Sequence, residues 1–374
     1  CDNNYLILKR KGKIMSKKLC IWLSIVAVAF LINGYLPSSL PAADVDFSGK
    51  TIVLSLAGLP GGSSDVVARM VARYLPNHIP GKPRMLVRTT SRGREIIDFN
   101  NFYEKAEKNG QVIGLTTTII IGSEMLNHKL RRYKLTKMPI IAAFPDGNTI
   151  VYNTKISKDY KAMIAMGDNL IASGAQPESP SNWGIMFFKE LIAPDLKIIF
   201  GYDRNIERTS LLRGETLLAR ESPSNFLRQW KDDPTVDVLC TMGILDDSGN
   251  IARDPVLPDV PTLIDVYQEI HGKLPPVLQL GAYKAFVGAL SLKSSFYLPP
   301  GTPVNIINTM QKSMASMLND PGFRKVAGSL FEGYEPVVGK SAEKLLMNSL
   351  DQPPEVLAWL GNWLATKYDV RLDK

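Results

Sequence analysis

The stretch Ser55–Leu75 reads SLAGLPGGSSDVVARMVARYL. An apolar run, Ile52–Ala57, leads into it, and the glycines and serines of Gly61–Ser64 interrupt it. Beyond the interruption, Val67, Met70, Val71, Tyr74 and Leu75 recur at helical spacing, with Arg69 and Arg73 on the other face. Pro76 ends that helix. The predicted order is strand, glycine-serine loop, helix. RMLVRT (84–89) then predicts a second strand, 96–108 a second helix and QVIGLTT (111–117) a third strand. This βαβαβ alternation implies a parallel sheet with helices on both faces.

A second series follows. NTIVYN, NLIASG, KIIFGY and VDVLCTM read as strands, separated by predicted helices over 159–166, 180–192, 204–213 and 222–230. The series predicts a second parallel unit of domain size. After residue 272 the pattern changes, and a helix capped by Thr302 and opened by Pro303 follows. Its stripe of Ile306, Met310, Met314 and Met317 reads as core filling. The closing helices have no sheet of their own and are expected on the first domain. The expected organisation is therefore residues 44–146 plus 268–374 as one domain and 147–267 as the other, with two chain crossings between them. The fold class is α/β.

The glycine-serine loop has a physical rationale. A helix opening near Ser63 leaves its first amide groups without intrahelical partners, and these, with the helix dipole, favour an anion. Glycine lets the backbone approach a ligand closely. In open α/β sheets such loops lie at the carboxyl ends of strands, where ligands bind. The same residues also fit a plain turn with a serine cap, and Asp65 fits either dipole compensation or orientation of the loop donors. It is not a GxxxxGK[ST] phosphate loop, since no lysine follows. ASGAQPESPSNWG (172–184) joins another strand to another helix and is again rich in small donors. Gly201, Tyr202 and Asp203 end the next strand beside it. Two such loops facing each other across a cleft would hold both ends of a small anion.

Composition sets the limits. The chain has 374 residues, 45% hydrophobic and 21% charged, enough for about two ordinary globular domains. Met15–Lys18 and the apolar segment that follows, with small residues at LPAAD, read as a secretory signal peptide cut after Ala42 or Ala43; the alternative is a retained anchor. Residues 1–14 read as sequence upstream of that signal. Without residues 1–43 the formal charge of +8 drops to about +3, because six basic residues and one acid leave with them. Nothing demands nucleic acid, and the basic run KLRRYKLTK (129–137) reads as a solvated face. Cys240, in an apolar strand, is the remaining cysteine and reads as a buried structural thiol.

GKTIVLSLAGLPGGSSDVVARMVARYL (49–75) resembles the opening of the Bug-type substrate-binding receptors of tripartite tricarboxylate transporters. RDPVLPDVPTLIDV (253–266) and LPPGTPVNIINTMQKSMASMLNDPGF (298–323) resemble two further segments of that family. The resemblance implies a type II periplasmic binding protein fold that captures a small organic carboxylate and delivers it to membrane permease subunits, in the periplasm and without a cofactor. Carried over by position, it implies ligand contacts from Leu59, Gly61, Gly62, Ser63 and Asp65, and from Ser173, Gly174, Ser179 or Ser181 of the second loop. SRGREI (91–96) departs from the family's glycine-rich segment and keeps only Gly93, leaving Arg92 and Arg94 either beside the ligand or in solvent.

An exported hydrolase is the rival class. His78, His128 and His271 lie on separate segments, with no HExxH, CxxC or GxSxG pattern. Asp232–Asp233 and Asp246–Asp247 sit in turn-like surroundings. Nothing assembles a nucleophile with a base. A receptor that signals to a partner instead of a permease is the other alternative.

Overall fold

The computed structural model describes residues 45–58, 60–90, 93–246, 248–331 and 333–370. The signal segment, Leu59, Arg92 and Asp247 lie outside the described residues. Asp44–Lys374 forms one compact unit.

Along the chain, β1 (Thr51–Leu56), α1 (Ser63–Tyr74), β2 (Arg84–Thr89), α2 (Glu95–Lys105), β3 (Val112–Leu115), α3 (Thr118–Met125) and β4 (Ile140–Phe144) build the first lobe. β5 (Thr149–Asn153), α4 (Tyr160–Ala165), β6 (Ile171–Ser173), α5 (Pro180–Leu191), β7 (Lys197–Ile199), α6 (Arg204–Arg213), β8 (Leu218–Glu221), α7 (Pro223–Gln229) and β9 (Val236–Thr241) build the second. A small hairpin, β10 (Ile244–Leu245) with β11 (Ile251–Ala252), precedes α8 (Leu263–His271) and α9 (Val277–Ser291). Then come β12 (Ser294–Tyr297), α10 (Val304–Leu318), α11 (Pro321–Phe331), β13 (Val337–Val338), α12 (Lys340–Leu350) and α13 (Pro354–Tyr368).

The first sheet runs β13-β4-β12-β3-β1-β2 and the second β7-β6-β8-β5-β9. The βαβαβ reading holds for β1, β2 and β3, which pair in parallel. β6, β7 and β8 are parallel as well. Both sheets are nevertheless mixed, which corrects the expectation of two parallel sheets. β12 runs antiparallel to β3 and β4, and β5 antiparallel to β8 and β9. β4 ends at the cleft and β12 begins there, at Lys293 and Ser294, so the two neighbours run opposite ways. β5 enters the second sheet from the crossing, while the strands beside it point their carboxyl ends back at it. β8 is a strand that the sequence pattern did not separate from its neighbours.

β1 alternates half-buried and buried residues, as a strand near the sheet edge should, whereas β4, β5 and β12 are buried throughout. Ile52, Leu54 and Leu56 pack with Val71 of α1 and with Met310, Met314 and Met317 of α10. The methionine stripe is core. A second cluster runs from Phe99 and Tyr133 in the first lobe through Phe286 of α9 to Trp183 and Phe187 of α5. α12 packs on β4. α13 does not confine itself to the first lobe: Trp363 stacks on Phe187 at 4.9 Å and donates to Glu190 Oε2 at 3.0 Å. Its aromatic face joins the buried cluster of Phe187, Tyr283 and Phe286 on α5 and α9 rather than a sheet.

Candidate functional site

A cleft of about 610 Å³ separates the carboxyl ends of the first-lobe strands from those of the second-lobe strands. Each wall is made of strand-to-helix loops, because β1, β3, β6, β7 and β8 all deliver the chain to the cleft and then turn into a helix.

On the first wall, α1 opens at Ser63 with Gly62 as an extended N-cap and no side-chain cap. Among the described residues, the amides of Gly62, Ser63 and Ser64 have no partner, as the first turn of a helix dictates. Gly61 has φ +77, with open space where a Cβ would stand. Its amide donates to Asp65 Oδ2 at 2.9 Å, and the same oxygen accepts from Arg69 Nε at 3.0 Å. Asp65 is buried, and its Oδ1 has no partner among the described residues. So Asp65 orients the loop, and the Gly61 amide is spent internally. Ser64 is tied to Ser294 by an Oγ–Oγ hydrogen bond of 2.8 Å. Thr117 and Thr118, after β3, complete this wall.

On the second wall, Asn182 organises the 174–182 loop. Its side-chain oxygen accepts from the Ala175 amide at 3.1 Å and its side-chain nitrogen donates to Gln176 O at 2.8 Å. Ser179 lies within hydrogen-bonding distance of both Ser181, at 2.9 Å, and Thr118 of the first wall, at 3.2 Å. Asp203 caps α6, accepting from the amides of Asn205 and Ile206.

The sequence-derived site residues divide accordingly. Gly61, Gly62, Ser63 and Asp65 line the first wall. Ser179, Ser181, Tyr202 and Asp203 line the second. Ser173, Gly174 and Gly93 lie off the lining: Ser173 is buried at the end of β6, the Gly174 amide donates to Ile199 O, and Gly93 is exposed. Arg94 turns to solvent and pairs with Asp98 at 3.1 Å.

What the sequence reading missed is a cluster of arginines on the second wall. Arg204 and Arg208 project from α6, Arg220 from β8 and Arg228 from α7. Beneath them lie two buried carboxylates, Glu207 and Glu221, 1% and 2% exposed. Arg208 pairs with Glu221 at 3.2 Å, and Arg204 with Glu207 at 3.3 Å and Glu221 at 3.7 Å. Arg220 donates to Asn182 Oδ1 at 2.7 Å and lies 3.8 Å from Glu207. Burial opposes the charge of Glu221, but Arg204 and Arg208, the Ser222 amide and Asn225 outweigh it and bring its carboxyl down to about 2. Burial and the like charge of Arg204 lower Arg220 to about 10. The i, i+4 spacing of Arg204 and Arg208, next to the Tyr202–Asp203 strand end, was the available signal.

At the floor, residues 145–148 join β4 to β5. Lys293 pairs with Asp146, and Gly147 passes so close to Tyr334 and Asp254 that a Cβ would fall 2.0 Å from Tyr334 Oη. Tyr334 donates to Asp254, whose carboxyl is raised by burial. Cys240 is buried and burial raises its thiol. Among the described residues no group of His, Cys, Asp and Glu could hold a metal ion, and no helix is long and apolar enough to cross a membrane.

Solved structures share this architecture. Periplasmic binding protein BugD superposes with a TM-score of 0.61 at 18% identity, covering 85% of this chain and 97% of its own. MatC from Rhodopseudomonas palustris with bound malate gives 0.58 at 16%, covering 85% and 100%. The chain has the type II periplasmic binding protein fold. A further R. palustris protein, with adipate, gives 0.59 at 15% identity, covering 86% and 97%. No family model matches the chain, and no curated protein matches it in sequence.

Proposed function

We propose that this chain is a Bug-type extracytoplasmic solute-binding protein that captures a small organic carboxylate between its lobes, 44–146 plus 268–374 and 147–267. It works in the periplasm and hands the ligand to the membrane subunits of a tripartite tricarboxylate-type transporter. The observation that carries the reading is the α1 N-terminus. Amides at Gly62–Ser64, without partners among the described residues and beside a loop oriented by Asp65, open onto a cleft at the carboxyl ends of both sheets. The folds that resemble it include proteins solved with malate and with adipate.

Binding on this reading needs no bond chemistry. A carboxylate accepts from the loop amides and hydroxyls, and the second wall closes on the rest of the ligand. Charge-assisted hydrogen bonds contribute about 1.5–3 kcal/mol each, so three or four support roughly micromolar affinity once ordering costs are met. A thermal-shift screen of small mono-, di- and tricarboxylates on the mature chain tests the reading, because a ligand of the native state raises its melting temperature. At least one carboxylate should raise it in a saturable way; a blank across the panel would reject the proposal.

A further inference from the structure

The arginine cluster is more than a carboxylate at the α1 loop requires. Arg204, Arg208, Arg220 and Arg228 all line the cleft from one lobe. Glu207 and Glu221 offset two of these charges from below, and neither carboxylate lines the cleft. Asp203, the other acid of this wall, faces the N-terminus of α6 and is balanced by it. Lys293 and Asp146 neutralise each other at the floor. Among the described residues, this wall therefore carries about two positive charges without a counterpart on the same wall, and Glu95 lines the cleft elsewhere. An ion network of this kind is costly to bury and weak evidence for stability alone, so its excess charge asks for a ligand.

A second observation points the same way. Ser224, 5% exposed, lines the cleft beside Arg228, and its Oγ has no hydrogen-bond partner among the described residues. Arg208 Nε likewise has none, while its guanidinium is anchored by Glu221 and lies 6.0 Å over the Trp230 ring. A hydroxyl donor and a preset guanidinium edge are therefore free beside an excess of positive charge. A guanidinium fork matches tetrahedral oxyanions as well as carboxylates, and a doubly ionised phosphoryl group satisfies two charges where a carboxylate satisfies one.

Resting on the carboxylate reading above, we propose that Arg208, with Arg228 and Ser224, forms a subsite for a doubly charged phosphoryl group. The ligand class is then an organic acid with a carboxylate at the α1 loop and a phosphonate or phosphate ester at its far end. Arg208 is its specificity-determining residue.

The test is calorimetric titration of the mature chain at about pH 9, above the second ionisation of a phosphate ester and of the less acidic phosphonates. ω-Phosphonocarboxylates with two, three and four methylenes are compared with succinate, glutarate and adipate, and the best spacer is repeated as a phosphate ester. The best phosphonate should bind at least about tenfold tighter than its matched dicarboxylate, and Arg208→Gln should remove that preference. Arg228→Gln, at an exposed position outside the buried ion network, should reduce it about threefold and guards against a misfolded Arg208 variant. If every dicarboxylate binds as tightly as its phosphonate, or if both variants keep the preference, the phosphoryl subsite is refuted while the carboxylate reading stands. If neither series nor the monocarboxylates bind, both readings fall. A preference for the ester over the phosphonate would support the subsite and point to a phosphate monoester as the natural ligand.

Discussion

Replacing Glu221 by Gln isolates the ion network that shapes the second wall. Glu221 is 2% exposed and is held at about 2 by Arg204 and Arg208 against its own burial, from an ordinary value of 4.5. A folded-state value below the unfolded one means stability that is fully present above about pH 4.5 and lost as pH falls through about 2. The gap corresponds to roughly 3 kcal/mol. Urea denaturation followed by tryptophan fluorescence, at half-unit steps from pH 6 to 2, reads this directly. The wild type should lose about 3 kcal/mol more than Glu221→Gln across the window, because the variant has no carboxyl there to protonate. At neutral pH the variant should be less stable by a similar amount, since Arg204 and Arg208 lose half of their buried counter-charge. Other carboxylates titrate in both proteins and cancel in the difference. Parallel curves for the two proteins between pH 5 and 2 would refute the argument that the arginines hold Glu221 ionised.

Further outcomes follow from single positions. Gly61→Val forces a β-branched residue into φ +77 and should cost roughly 1–2 kcal/mol while greatly weakening carboxylate binding, checked by melting temperature and titration. Asp65→Ala releases the Gly61 amide and Arg69, so the loop loses its set geometry; affinity should fall about tenfold with circular dichroism unchanged. Gly147→Ala drives a methyl into Tyr334 and Asp254 at the crossing and should destabilise the fold by several kcal/mol in a thermal melt. Cys240 should ignore a thiol reagent in the native state and react at once in denaturant.

The glycine-serine loop and the helix after it were legible in the sequence because the cues are local: an apolar run, two glycines, two serines and a 3.6-residue period. The same holds for α6, whose bounds of 204–213 were read from the sequence alone. Strand direction was not legible. Neither β4 (IIAAF) nor β12 (SSFY) carries a mark of direction, and only their pairing and their places at the cleft show that one ends there and the other begins there. The placement of α13 depends on Trp363 meeting Phe187 across 176 positions, a contact no local pattern encodes. The arginine cluster was missed for the same reason. Its members come from α6, β8 and α7, and each alone reads as an ordinary surface cation beside an acid. Leu59 and Arg92 were named from sequence and lie outside the described residues.

The most direct measurement is a crystal structure of the mature chain with the carboxylate that gives the largest thermal shift. A carboxylate should accept from the amides of Gly62, Ser63 or Ser64, with the Gly61 amide still on Asp65 and the rest of the ligand facing the arginine wall. A ligand bound elsewhere, or a loop whose amides stay closed off by the protein's own groups, would contradict this placement.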